Sequence, residues 1–172
     1  INEGHPILIP EIFLQGIAHS LSGGELIAFL ACFIRESESD DTPSVETLRV
    51  PDSVKQTLYR ADELARKFIE LEDTCGVICS NAKIANFWNL STQWIEPLYR
   101  WTQGDSPAEI CKDLGIFEGN LVRGVLKSAN LLDEWLSLAT YCEHTPQIEK
   151  IVEARRALIR DIVITDSLYL HI

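Results

Sequence analysis

The chain has 172 residues and a net charge of −11, enough length for one domain whose core needs neither metal nor disulfides. The acidity argues against a free-standing duplex binder, which gathers basic residues for the phosphates, and against an anionic membrane surface. No apolar run reaches the ~18 residues of a membrane span, and five cysteines without a signal peptide ahead of them read as reduced, intracellular thiols. The chain starts at Ile1 and contains no Met, the mark of a processed chain or of a piece of something longer.

In chain order, residues 1–10 read as an extended arm or edge strand, with Pro6 and Pro10 bracketing Ile7-Leu8-Ile9. Glu11–Ser20 shows helical apolar spacing at Ile12, Phe13, Leu14 and Ile17. Ser22 and Glu25 form a capping box that opens LIAFLACFIRE, apolar on almost every side and therefore expected to be buried. Glu36–Asp52 is an acidic surface loop. Ser53 with Gln56 suggests a second capping box at the head of a long amphipathic helix, apolar at Val54, Leu58, Ala61, Leu64, Ala65, Phe68 and Leu71. STQWIEPLYRWTQG is helical in pattern, with Pro97 expected to start a turn or kink it and Gly104 to stop it. Thr145 caps a last helix running to about Ile164. No strand pairs and no repeats are visible, so the class is all-α, a helical bundle.

Residues 106–127 carry the most information. Ser106-Pro107-Ala108-Glu109 is a capping box with Pro at the first helical position. A tight turn follows at Leu114-Gly115-Ile116, then a helix from about Glu118 to Cys142. This is helix-turn-helix spacing. At about 100° per residue, Asn120, Arg123, Lys127, Asn130 and Glu134 fall within roughly 80° of one another, while Leu121, Val122, Val125, Leu126, Ala129, Leu132 and Leu136 lie opposite. The polar stripe is either a solvated face or a ladder of contacts to a polar polymer, in which Arg and Lys meet phosphates or stack on bases. Gly124, beside the stripe, leaves room for a backbone or a base.

The residues bring a family into view. IPEIFLQGIAHSLSGGELIAFLACFIRE, then PLYRWTQGDSPAEICKDLGIFEGNLVR with its W-x-x-G, I-C and F-E-G-x-apolar-apolar-R pattern, then LIRDIVITDSLYL occur in an order that resembles the DSHCT domain. That domain is the helical C-terminal part of exosome-associated superfamily 2 RNA helicases. The resemblance spans nearly the whole chain and is weak over about 37–90. It implies that the 118–142 helix is the family's ratchet helix, bordering the channel for single-stranded RNA. Asn120, Arg123, Lys127, Asn130 and Glu134 are then the RNA-binding candidates. Arg123 falls on the family's arginine. Lys127 stands where another Arg is usual and keeps the cation without the planar fork; Asn130 stands where a Glu is common. Implied partners are single-stranded RNA, the motor and winged-helix domains of the same parent, and RNA-exosome cofactors.

No catalytic constellation is visible. There is no G-K-[ST] loop and no D-E-x-D/H box; Asp62-Glu63-Leu64-Ala65 lies on a solvated helix face. ATP and Mg, and the hydrolysis they support, belong on this reading to motor domains outside the chain, which needs no cofactor or metal of its own. Cys75 and Cys79 lack a second Cys/His pair at zinc spacing. Lys150, Arg155, Arg156 and Arg160 form the densest basic cluster, expected to pair within the chain or to dock elsewhere. The histidines His5, His19, His144 and His171 are scattered along the sequence. Two other functions stay open: a helix-turn-helix regulator of duplex DNA, and a purely protein-docking helical domain.

Overall fold

A computed structural model describes residues 4–35, 42–76 and 87–160. Among these residues there are seven α-helices and no strands, as the all-α reading expects. They are α1 (Leu8–Leu14), α2 (Gly23–Leu30), α3 (Asp52–Thr74), α4 (Ile95–Thr102), α5 (Pro107–Leu114), α6 (Glu118–Tyr141) and α7 (Thr145–Ile159). Short 3-10 turns at Ala31–Phe33 and Val45–Thr47 complete the set.

The central element is α2, which touches α3, α4, α6 and α7. Its sequence explains this: Leu26 to Leu30 are all 1% exposed or less, and a helix apolar on every side is stable only when surrounded. Ser22 caps its start by accepting from the Glu25 N–H. Gly23 lies so close to α7 that a Cβ would meet the Ala154 backbone nitrogen at 2.8 Å. A side chain there would push the two helices apart.

The other helices are laid around α2 by their apolar stripes. In α3, Val54, Leu58, Ala61, Leu64 and Ala65 face inward, and full burial of each Leu or Val contributes about 1.5–3 kcal/mol. Phe68 stacks on Trp88 at 5.0 Å, whereas Leu71 faces solvent. On the far side, α7 packs along both α2 and α6. Trp94, Trp101 and Trp135, all 1% exposed or less, fill the space between elements.

Several local expectations change. The chain is helical from Leu8, inside the stretch expected to be extended, because His5 Nδ1 accepts from the N–H groups of Ile7 (3.2 Å) and Leu8 (3.0 Å). Pro10 sits in the first turn of α1, where no intrahelical N–H partner is lost. The same reasoning removes the kink at Pro97: α4 begins at Ile95, so the ring lies in its first turn. No side chain caps α3, which starts at Asp52; Ser53 Oγ donates instead to Glu25 of α2. The cap of α7 is His144, whose Nδ1 accepts from the Gln147 N–H at 3.3 Å, with Thr145 as first helical residue. That helix ends at Ile159, and Arg160 follows with φ +49°. The S-L-Y-L block, Asp161, Cys79 and His171 lie outside the described residues.

Candidate nucleic-acid interface

The helix-turn-helix unit forms as its residues indicate. Ser106 Oγ accepts from the Glu109 N–H (3.2 Å), and the Glu109 carboxylate accepts from the Ser106 N–H (3.4 Å). Gly115 turns the chain with φ +65°, a conformation that costs an L-residue its Cβ clearance. The Ile116 N–H closes the turn on Cys111 O at 3.1 Å. Phe117 then precedes α6 without offering a side-chain cap.

On α6 the inner face is the one its spacing indicates. Leu121, Val122, Val125, Leu132 and Trp135 are buried against α7, α2 and α4; Leu126 is the exception, 49% exposed at the edge of the stripe. The outer face carries the five candidates. Arg123 and Asn130 are exposed, and Asn120, Lys127 and Glu134 half-buried. All five share one side of one helix, but the chain itself crosses that side. Lys127 Nζ donates to Arg35 O at 3.3 Å, and the Gly4 N–H donates to Glu134 Oε1 at 3.0 Å.

Gly124 has a packing role. A Cβ there would lie 2.8 Å from the Trp94 ring, so the space beside the stripe is filled by this chain's own indole and is not open to a base.

Beside the crossing, Gly4, His5, Pro6, Phe33, Arg35 and Phe87 line a recess of about 190 Å³. The Arg35 guanidinium donates to Phe87 O (2.5 Å) and Asn89 O (3.1 Å), so it ties the chain beyond α3 to the end of the α2 region. Burial, and then Arg35, hold the His5 imidazole down at about pKa 4 against the opposing pull of the Phe87 carbonyl. His5 is therefore neutral at pH 7, its Nδ1 occupied as acceptor and its proton on Nε2. Residues 5 and 35 are the ones sequence reading missed. Neither belongs to a periodic face, and only the fold brings them next to α6.

The other candidates resolve into structure. Of the basic cluster, Arg155 pairs with Asp133 and Lys150 Nζ donates to His19 O. Arg160 lies 4.4 Å over the Trp101 ring and donates to Asp105 O (2.8 Å) and Gly104 O (3.0 Å). The Trp101 indole N–H reaches Leu158 O at 2.8 Å. The W-x-x-G block and the end of α7, far apart in sequence, are thus one clasp. His19 and His144, scattered in sequence, come to 4.7 Å between ring centroids, packed with Phe13 and Trp135. Burial, His144 and Lys150 together lower the pKa of His19. Asp62 pairs with Arg66 along the exposed face of α3. Among the described residues, no three of His, Cys, Asp and Glu converge as a metal site. None of the described helices is long and apolar enough to cross a membrane.

Family models place this arrangement. Residues 1–166 match the DSHCT (NUC185) domain. The chain belongs to the DSHCT family. Similar sequences include the ATP-dependent RNA helicase mtr4 of Schizosaccharomyces pombe, 26% identical over 170 residues, covering 99% of this chain and 15% of that protein. The exosome RNA helicase MTR4 of Homo sapiens is 25% identical over 171 residues, with coverage of 99% and 16%. The mRNA transport homolog 4 of Caenorhabditis elegans is 26% identical over 164 residues, with coverage of 95% and 15%. The chain thus spans about one sixth of the length of these relatives. The F-E-G-x-apolar-apolar-R block is the N-cap Phe117 followed by about the first turn and a half of α6.

Proposed function

We propose that this chain is the helical DSHCT module of an ATP-dependent RNA helicase, and that α6 borders the path of a single RNA strand. The observation that carries the reading is the match of residues 1–166 to DSHCT together with the outward placement of Asn120, Arg123 and Lys127 on α6. Arg123 and Lys127 supply cations to phosphates or base faces, and Asn120 and Asn130 supply amide donors and acceptors. Two phosphate contacts give a salt slope of only about −1.4, so a fourfold rise in salt weakens this part of the binding about sevenfold. Such a face contributes to a larger channel and does not bind tightly alone. ATP and Mg belong to the motor domains of the parent. Those motor domains, a winged-helix domain and exosome cofactors are the protein partners this role implies.

The test is the double variant Arg123→Ala, Lys127→Ala in the full-length protein. Unwinding of an RNA duplex should fall several-fold further than RNA-stimulated ATP hydrolysis. Unwinding at the parental rate would remove α6 from the RNA path.

A second reading, a purely structural or protein-docking domain, is favoured at one end of the stripe only. There the Gly4 backbone already occupies Glu134, which makes that end a structural contact. A duplex-DNA regulator is the weakest of the three, because a chain of net charge −11 offers only two cations on the presented helix.

A further inference from the structure

The two cations of the α6 stripe sit differently. Arg123 is exposed, whereas Lys127 is half-buried with its Nζ donating to Arg35 O at 3.3 Å. Arg35 stands 92 residues away in sequence, at the end of the segment that leaves α2, and that segment is firmly fixed. Phe33 and Ile34 are buried. Cys32 O accepts from the Ser91 N–H at 2.8 Å. A single guanidinium nitrogen, Arg35 Nη2, donates to both Phe87 O (2.5 Å) and Asn89 O (3.1 Å). The receiving segment is anchored in turn: the Phe87 and Trp88 rings lie 4.0 and 4.8 Å from the His5 ring, and Phe68 of α3 stacks on Trp88. The Arg35 side chain thus fixes the backbone whose carbonyl receives Lys127.

We propose, building on the RNA-facing role of α6 above, that Arg35 is a positioning residue for Lys127. It lies outside α6 and acts on the strand only through the corner it clamps. An arginine brings a planar fork whose donors are organised in advance, and a lysine does not. A long lysine side chain therefore loses much rotamer freedom when it engages a phosphate. With Nζ already resting on a fixed carbonyl, part of that ordering happens on folding, before RNA arrives. A carbonyl carries no net charge, so this contact orients the ammonium without neutralising it. Helical geometry keeps the oriented group about 40° from Arg123, inside the polar stripe. Arg35 is itself at the surface, so direct contact with RNA is the competing reading. Against it, Nη2 is directed onto two carbonyls of its own chain.

The experiment is a double-variant cycle in the full-length protein: Arg35→Ala, Lys127→Ala and the pair. Binding is read by fluorescence anisotropy with a labelled single-stranded oligouridine RNA at several salt concentrations, and stability by thermal melting. Arg35→Ala should weaken binding about 2- to 10-fold, the effect of ordering one long side chain at the moment of binding. The salt slope should not change, since Lys127 still meets its phosphate. In the Lys127→Ala background the same change should leave affinity where it was, although it lowers the melting temperature in both backgrounds. Losses that multiply, with the slope shallower by about 0.7 for Arg35→Ala, make Arg35 a phosphate contact in its own right and overturn the proposal. Parental affinity in Arg35→Ala with Lys127→Ala impaired makes the clamp purely structural, which also overturns it and leaves α6 on the RNA path. Parental affinity in Lys127→Ala removes both the proposal and the place of Lys127 on that path. If Arg35→Ala melts below the assay temperature, Arg35→Gln, which keeps an amide donor on a shorter arm, takes its place in the cycle. A loss that disappears in the Lys127→Ala background then supports positioning, and a loss that persists there, or no loss at all, overturns it.

Discussion

The two halves of α6 carry the same periodic pattern and meet different surroundings. Towards Glu118 the outer face is exposed among the described residues: Arg123 faces outward and a Cβ on Gly119 would meet none of them within 4 Å. Towards Tyr141 the helix is held from several directions. Glu134 accepts the Gly4 N–H, Asp133 pairs with Arg155, and the Trp135 indole donates to Gln147 Oε1 at 3.2 Å. Gln147 in turn donates to His19 O at 3.4 Å. One stripe on a helical wheel is therefore two surfaces in the protein, one available for contact and one used as a bolt. The division falls near Lys127, where the Arg35 carbonyl reaches the stripe.

The strongest test of that division is Trp135→Ala. Removing a fully buried indole should cost about 3–5 kcal/mol, read by urea denaturation. A loss under 1 kcal/mol would mean that the bolted half is not bolted.

Acid should act on the same half next. Both His5 and His19 have depressed pKa values, so the unfolded chain binds more protons than the folded one once pH drops below about 6.5, the ordinary histidine value. Stability is full above that pH and falls below it; the His5 contribution is spent by about pH 4. His5 adjoins the Gly4 contact to Glu134, and His19 lies 6.5 Å from Trp135. Hydrogen exchange at pH 7 and pH 5 should therefore show protection lost first in residues 131–141 of α6 and only later in 118–127. Uniform loss along the helix would erase the distinction.

The smallest expected effect is Glu134→Ala. It leaves the half-buried Gly4 N–H without its acceptor and should cost about 1 kcal/mol, with RNA affinity unchanged. The opposite result, unchanged stability with weakened RNA binding, would extend the interface over the whole stripe.

Much of this was legible in the residues. The buried character of α2 follows from LIAFLACFIRE, since no orientation of that helix could leave an apolar side in water. The α5–turn–α6 unit follows from local chemistry alone: Ser106, Pro107 and Gly115 each satisfy a backbone requirement within a few residues. One expected cap failed where a distant group competed: Ser53 bonds Glu25. The other lay one residue off: His144, not Thr145, satisfies the start of α7. The family resemblance, carried by three blocks of sequence, agrees with the match over residues 1–166.

The sequence by itself determined which residues share the outer face of α6, because helical periodicity is a local property set every 3.6 residues. Only the tertiary structure decided which of them remain at the surface. Gly4, Arg35 and Trp94 lie 130, 92 and 30 residues from their partners Glu134, Lys127 and Gly124. No local rule links positions so far apart. They meet because burying α2 on all sides draws distant parts of the chain against α6.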